Sequence, residues 1–159
     1  MSEEPARIEH RPAMTIGGFR KTVELGEESN QLWEEVSTAL TLAGAPMQAV
    51  QQVGIIFAVG GDKTKFDYMA GLVVNDKDVA AQLGLNAAVV PAGEYAIVDV
   101  QGPAPLASAT GMDYLLGVFL PERGLRATGP TLEIYGPGDT SAEDYMMQIW
   151  VPITALESQ

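Results

Sequence analysis

GDKTKFDYMAGLVV (Gly61–Val74) and GDTSAEDYMMQIWV (Gly138–Val151) lie at a constant offset of 77 residues and agree at six of fourteen positions. Gly, Asp, Asp, Tyr, Met and the closing Val recur, whereas unrelated segments match at roughly one position. Each stretch opens with turn-forming residues and continues as an apolar run rich in Val, Met and aromatics, the pattern of a loop entering a strand. The chain therefore writes the same loop and strand twice.

What surrounds the two copies also repeats. Upstream of the first, RIEHRPAMTIGGFRKTVEL alternates as one strand bent at Gly17-Gly18. GEESNQLWEEVSTALTLAG follows with helix signals: acidic residues and Ser29 or Asn30 at its start, Leu32, Val36, Leu40 and Ala43 at helical spacing, and Gly44 as a stop. QVGIIFAVGG and FDYMAGLVV read as two strands joined by a turn. The second half gives a strand in PAGEYAIVDVQG and a helix in APLASATGMDYLLGVFLPERGL limited by Pro121 and Gly124. Two further strands, TLEIYG and DYMMQIWVPI, flank the turn GPGDTSAE. Between the halves, NDKDVAAQLGLNAAVV reads as a connector with room for a helical turn at Asp78–Leu83.

The plan is α+β: a tandem, pseudo-twofold duplication of a βαββ unit, with an antiparallel sheet and two main helices. The repeat halves are residues 5–75 and 85–153. One βαββ unit cannot hide a sheet face alone, so the two are expected to form a single domain over residues 1–159 with a ligand groove where the copies meet.

Bulk composition narrows the function. Hydrophobic residues make up 47% and charged residues 19% of the 159, which is globular composition. No Cys is present, and the one His, His10, cannot form a histidine cluster, so no metal site is expected. No nucleophile elbow accompanies that His, and AVGGDK and GPGD lack the strand-to-helix context of a phosphate loop. These are turns, with Asp62 and Asp139 as turn formers. No catalytic residue and no cofactor are assigned. The net charge of −12 opposes direct nucleic-acid binding and attracts cations weakly at long range. MSEEPARIEH has no basic start followed by an apolar run, and no stretch is long enough to span a membrane, so a soluble cytoplasmic protein is expected.

The sequence resembles the GyrI-like small-molecule-binding domain, the duplicated βαββ fold of gyrase-inhibitory-type proteins and of the effector domains of multidrug-responsive regulators. The residues that carry the resemblance are VPAGEYAIVDVQGP, the helix end LLGVFLPERGL, GPTLEIY with GPGD, and YMMQIWVPI. LWEEV, IIFAVGGDKTKFDY and AGLVV match more weakly in the first half. The resemblance implies an aromatic-lined groove that accepts hydrophobic, often cationic, organic molecules. In the regulators such a domain follows a DNA-binding module. No such module precedes the first strand here, so a freestanding binder is expected.

Six residues are candidates for that groove: Trp33, Glu133, Tyr135, Met146, Gln148 and Trp150. In the last strand Tyr145, Met147, Ile149 and Val151 should face the helices, with Met146, Gln148 and Trp150 on the other side. The resemblance puts a cation-anchoring Glu where this chain has Gln148, which keeps the shape and loses the charge. Glu133, sharing a face with Tyr135, is either its substitute or a strand-edge carboxylate. Trp150 is read as a groove wall for a flat or cationic ligand, against the alternative of packing. Trp33 is either core or the closure of one groove end. Tyr68 and Tyr145, equivalent in the repeat, are read as structural tyrosines whose hydroxyls tie down loops.

The leading function is capture of a hydrophobic or cationic small molecule for sensing or sequestration. The alternatives are hydrolysis of strained electrophilic small molecules, which needs a groove carboxylate as general base, and an acidic protein-interaction role with a protein partner.

Overall fold

The computed structural model describes residues 6–24, 27–44, 51–59, 65–136 and 138–155. The turn that contains Asp62 lies outside the described residues. The chain divides into two compact units, one spanning Ala13–Pro91 and the other formed by the chain up to Pro12 together with the chain from Ala92 onward. Both are α+β with antiparallel sheets, and no helix among the described residues is long and apolar enough to cross a membrane.

The unit Ala13–Pro91 contains β2 (Met14–Glu24), α1 (Glu27–Leu42), β3 (Gln52–Val59), β4 (Lys65–Val74), α2 (Lys77–Gln82) and β5 (Asn86–Val90). Its sheet runs β3-β4-β2-β5. Leu32, Val36 and Leu40 recur every four residues, so one stripe of α1 is apolar and packs on Tyr68, Ala70, Leu72 and Val74 of β4. Gly44 ends the helix with φ 77, a conformation that costs glycine nothing. In the strand pair β2–β4, Gly18 faces Gly71. A Cβ on Gly18 would stand 1.9 Å from the Ala70 carbonyl oxygen.

The other unit contains β1 (Ala6–Arg11), β6 (Gly93–Gln101), α3 (Ala104–Tyr114), a π-helical turn (Leu115–Phe119), α4 (Leu120–Glu122), β7 (Leu125–Ala127), β8 (Thr131–Tyr135) and β9 (Met146–Ala155). Its sheet runs β1-β6-β9-β8, with β7 paired to β9. The helical segments follow one another without a break from Ala104 to Glu122. Pro121 has no N–H and its ring crowds the preceding turn, and the widened π turn lies immediately N-terminal to it. Gly124, at φ 68, closes the last turn. Tyr145, Met147, Ile149 and Val151 pack with Ala107, Leu115 and Phe119 in this unit's core. Gly111 brings α3 close to β9, since a Cβ there would lie 2.6 Å from the Ile149 Cγ1. The helix-side core residues of β4 (Tyr68, Ala70, Leu72, Val74) and of β9 with its preceding residue (Tyr145, Met147, Ile149, Val151) are thus related by the 77-residue offset.

Two sequence expectations change. The segment read as one bent first strand is two strands in different units: β1 ends before Pro12 and pairs β6, while β2 pairs β4 and β5. Pro12 offers no N–H to a ladder and restricts Arg11 before it, so the break falls at the proline, while β2 passes through Gly17-Gly18 uninterrupted. The connector holds more than a helical turn. Asp76 caps α2 by accepting from the Val79 backbone N–H, and NAAVV forms β5 against β2.

Candidate functional site

Strand register decides which candidates share a face. Glu133 stands opposite Ile149, and Tyr135 opposite Met147, so both lie on the α3 side of their sheet. Gln148 stands between Asp99 and Ile134, and Trp150 between Ile97 and Leu132, on the opposite side. The alternation of the strands therefore separates the six candidates instead of gathering them.

On the helix side, Glu133 is a carboxylate with only 7% of its surface exposed. Its Oε2 accepts from the Ser108 hydroxyl at 2.5 Å, and its Oε1 accepts from the Tyr135 hydroxyl at 2.9 Å. Burying an ionised carboxyl is costly unless donors replace its water, and hydrogen bonds to a charged group contribute about 1.5–3 kcal/mol each. Ser108 is itself buried on the core-facing stripe of α3 that also carries Ala104 and Ala107 and continues into Leu115 of the π-helical turn. The sequence reading did not single it out. The available sign was a polar residue inside that helical stripe, and the cross-sheet partner that gives it meaning is 25 residues away.

On the far side, Gln148 is held at both ends. Its Nε2 donates to Asp99 Oδ1 at 2.8 Å, and its Oε1 accepts from the Trp150 indole N–H at 2.9 Å. Asp99 Oδ2 in turn accepts from Arg7 Nη1 at 3.2 Å. The chain Arg7–Asp99–Gln148–Trp150 ties β1, β6 and β9 together. Trp150 is only 5% exposed; Tyr95 tilts against it at 5.8 Å between ring centroids, and the Arg11 guanidinium lies 4.8 Å above its ring. Met146, on the same side, is exposed.

Trp33 belongs to the other unit, half-buried on α1, where its indole N–H donates to the Tyr68 hydroxyl at 3.1 Å. Tyr145 donates to the Gly136 carbonyl at 2.7 Å and so fastens the end of β8 to the start of β9. Asp139 accepts from both the backbone N–H and the hydroxyl of Ser141, closing a turn, and these bonds hold its carboxyl below the usual range.

The model of the GyrI-like small molecule binding domain matches residues 4–154. No curated protein sequence matches the chain. Among solved structures, the EcmrR C-terminal domain is similar with a TM-score of 0.76 at 16% identity, over 96% of this chain and 99% of that one. SAV2435 bound to tetraphenylphosphonium gives a TM-score of 0.66 at 19% identity, over 94% of each chain. A hydrolase encoded by lin2189 from Listeria innocua gives 0.65 at 12% identity, over 96% of this chain and 93% of that one. At such identities the likeness is one of fold.

Proposed function

The chain belongs to the GyrI-like small-molecule-binding domain family, and on that premise we propose that it captures a hydrophobic organic cation with Glu133 as the anchor. The observation that carries the reading is the buried carboxylate of Glu133, oriented by Ser108 and Tyr135. A charge pair at about 4 Å is worth on the order of 4 kcal/mol at intermediate dielectric, before desolvation is subtracted. A lipophilic cation arrives with little hydration to lose, so it keeps more of that gain than a small ammonium does. The tetraphenylphosphonium bound to SAV2435 is a molecule of this class and supports the choice. In this reading Tyr135 orients the carboxylate, and Trp33 is an aromatic contact in its own unit. Gln148 and Trp150 serve the fold through their network with Asp99 and Arg7, and Met146 is a surface side chain beside them.

Calorimetric titration of Glu133→Gln with a lipophilic cation and a neutral molecule of matched shape tests this. Cation affinity should fall by about 10- to 100-fold, the scale of one to two decades of Coulomb attraction, while the neutral molecule should bind as before. Equal losses for both would remove Glu133 from the anchor role.

Hydrolysis of a strained electrophile is a second reading, favoured by the same carboxylate, because a general base must be a positioned, proton-accepting group near its ligand. Product formation that disappears in Glu133→Gln, with neutral-ligand binding intact, would establish it. Binding without turnover would leave the protein a sensor or a sequestering module.

A further inference from the structure

β5 lies at the outer side of its unit's sheet, paired to β2 alone among the described residues. A strand in that position leaves a row of backbone N–H and C=O groups facing outward, ready to pair with another extended chain. Proteins normally guard such edges with charge. β1, also an outer strand, follows that rule with Arg7, Glu9, His10 and Arg11 along six residues. β5 does not: its five residues, Asn86, Ala87, Ala88, Val89 and Val90, carry no charge, and although Val90 is buried, Val89 is 69% exposed.

We propose that the outer edge of β5 is a self-association surface on which a second copy of this chain adds an antiparallel strand. The occupant follows from charge. A molecule of net charge −12 repels its own copies wherever acidic surfaces meet, and β5 is a place where two copies meet without charge opposing charge. A basic or acidic peptide finds no counter-charge on this edge, whereas an identical neutral strand matches it. Antiparallel pairing of like strands has a twofold axis. Centred at Ala88, it sets Ala87 opposite the partner's Val89 and Asn86 opposite the partner's Val90. Small side chains at 87 and 88 let the strands reach normal ladder spacing, and the Val89 surface is covered. Five paired residues bury less than the roughly 1,200 Å² typical of stable interfaces, so the dimer is weak and depends on concentration.

Sedimentation velocity of the full chain between about 10 and about 500 µM, a range that brackets affinities of weak pairs, should show the mean mass moving from monomer toward dimer. Val89→Lys, an exposed position whose folding is checked by circular dichroism, should shift that curve to at least tenfold higher concentration. Adding Ala87→Glu to the same chain should restore it, because the antiparallel register places the introduced acid opposite the partner's introduced base. Amide exchange across Asn86–Val90 should slow as wild-type concentration rises. A monomer throughout the range, a dimer indifferent to Val89→Lys, or a Val89→Lys loss that Ala87→Glu does not repair would each overturn the proposal. A dimer that forms only with an added extended peptide would overturn it as well.

Discussion

At the scale of single residues, two carboxyl-amide questions are resolved by what each side chain faces. Glu133 and Gln148 are on neighbouring strands, yet they point to opposite sides of one sheet and do different work. Ser108→Ala removes the donor on Glu133 Oε2 and leaves a buried carboxylate short of a hydrogen bond. Chemical denaturation should show a loss of about 1–3 kcal/mol, and Ser108→Thr, which keeps the hydroxyl, should recover part of it. Gln148→Glu replaces an amide that donates to Asp99 with a second acid against the first. Stability should fall at neutral pH by about 1–3 kcal/mol and recover as pH drops toward 4, where the introduced carboxyl protonates. A rise in stability at neutral pH would show that Arg7 reaches the introduced acid and that the network tolerates two carboxylates.

At the scale of elements, glycine controls how closely the layers pack. β2 and β4 pair tightly at Gly18 and Gly71, neither of which has a side chain, and the obstacle at Gly18 is a backbone carbonyl that cannot rotate away. Gly18→Ala should therefore cost at least about 1–3 kcal/mol, the usual range for overpacking, measured as a lower denaturant midpoint. Gly44→Ala, where nothing lies within 4 Å but φ is 77, is a fair control, since its cost comes only from the left-handed backbone. Should the two substitutions cost the same, the close approach of β2 and β4 is not what constrains Gly18. The arginine on the outer side of β2 works differently. Arg20 donates to both Asp67 oxygens, at 2.8 and 2.5 Å, and covers the Phe57 ring at 3.6 Å, giving one side chain a role on three strands.

At the scale of the whole molecule, titration links buried tyrosines to stability. Burial pushes the Tyr95 and Tyr145 hydroxyls above the usual phenol value. A group whose folded pKa is raised contributes stability in full below its unfolded pKa, and that contribution is lost as pH rises from about 10 through the folded value. Denaturant midpoints should hold level up to about pH 9 and then fall steadily above about pH 10. Phenolate absorbance should show part of the tyrosine set ionising only as the protein unfolds. Asp67 behaves in the opposite sense: its carboxyl is held low by the Arg20 hydrogen bonds, so that stability is present above about pH 4 and is lost as pH falls through its lowered value. Because the pair is substantially exposed, this acid-side effect should be no more than about 1 kcal/mol.

By itself the sequence determined what depends on local chemistry and on pattern. The period of α1, its stop at Gly44, the strands FDYMAGLVV and DYMMQIWVPI and their helix-facing sets all follow from side-chain spacing. So does the turn at Asp139, whose bonds run to a residue two positions away. Family membership was equally legible, because the motifs that carry it are ordered along nearly the whole chain. The tertiary structure alone decided what depends on pairing between distant residues. The N-terminal segment splits at Pro12 because β6, more than eighty residues on, offers β1 a ladder that β2 does not need. β5 escaped notice because an asparagine and four small apolar residues have no period of their own and become a strand only against β2. The same holds at the candidate site. Ser108 and Glu133 meet only once α3 lies across the sheet, and Trp150 becomes core through Tyr95 and Arg11, which come from other strands. Spacing along a chain encodes which way a side chain points, whereas what it meets there is set by strands the chain returns from elsewhere.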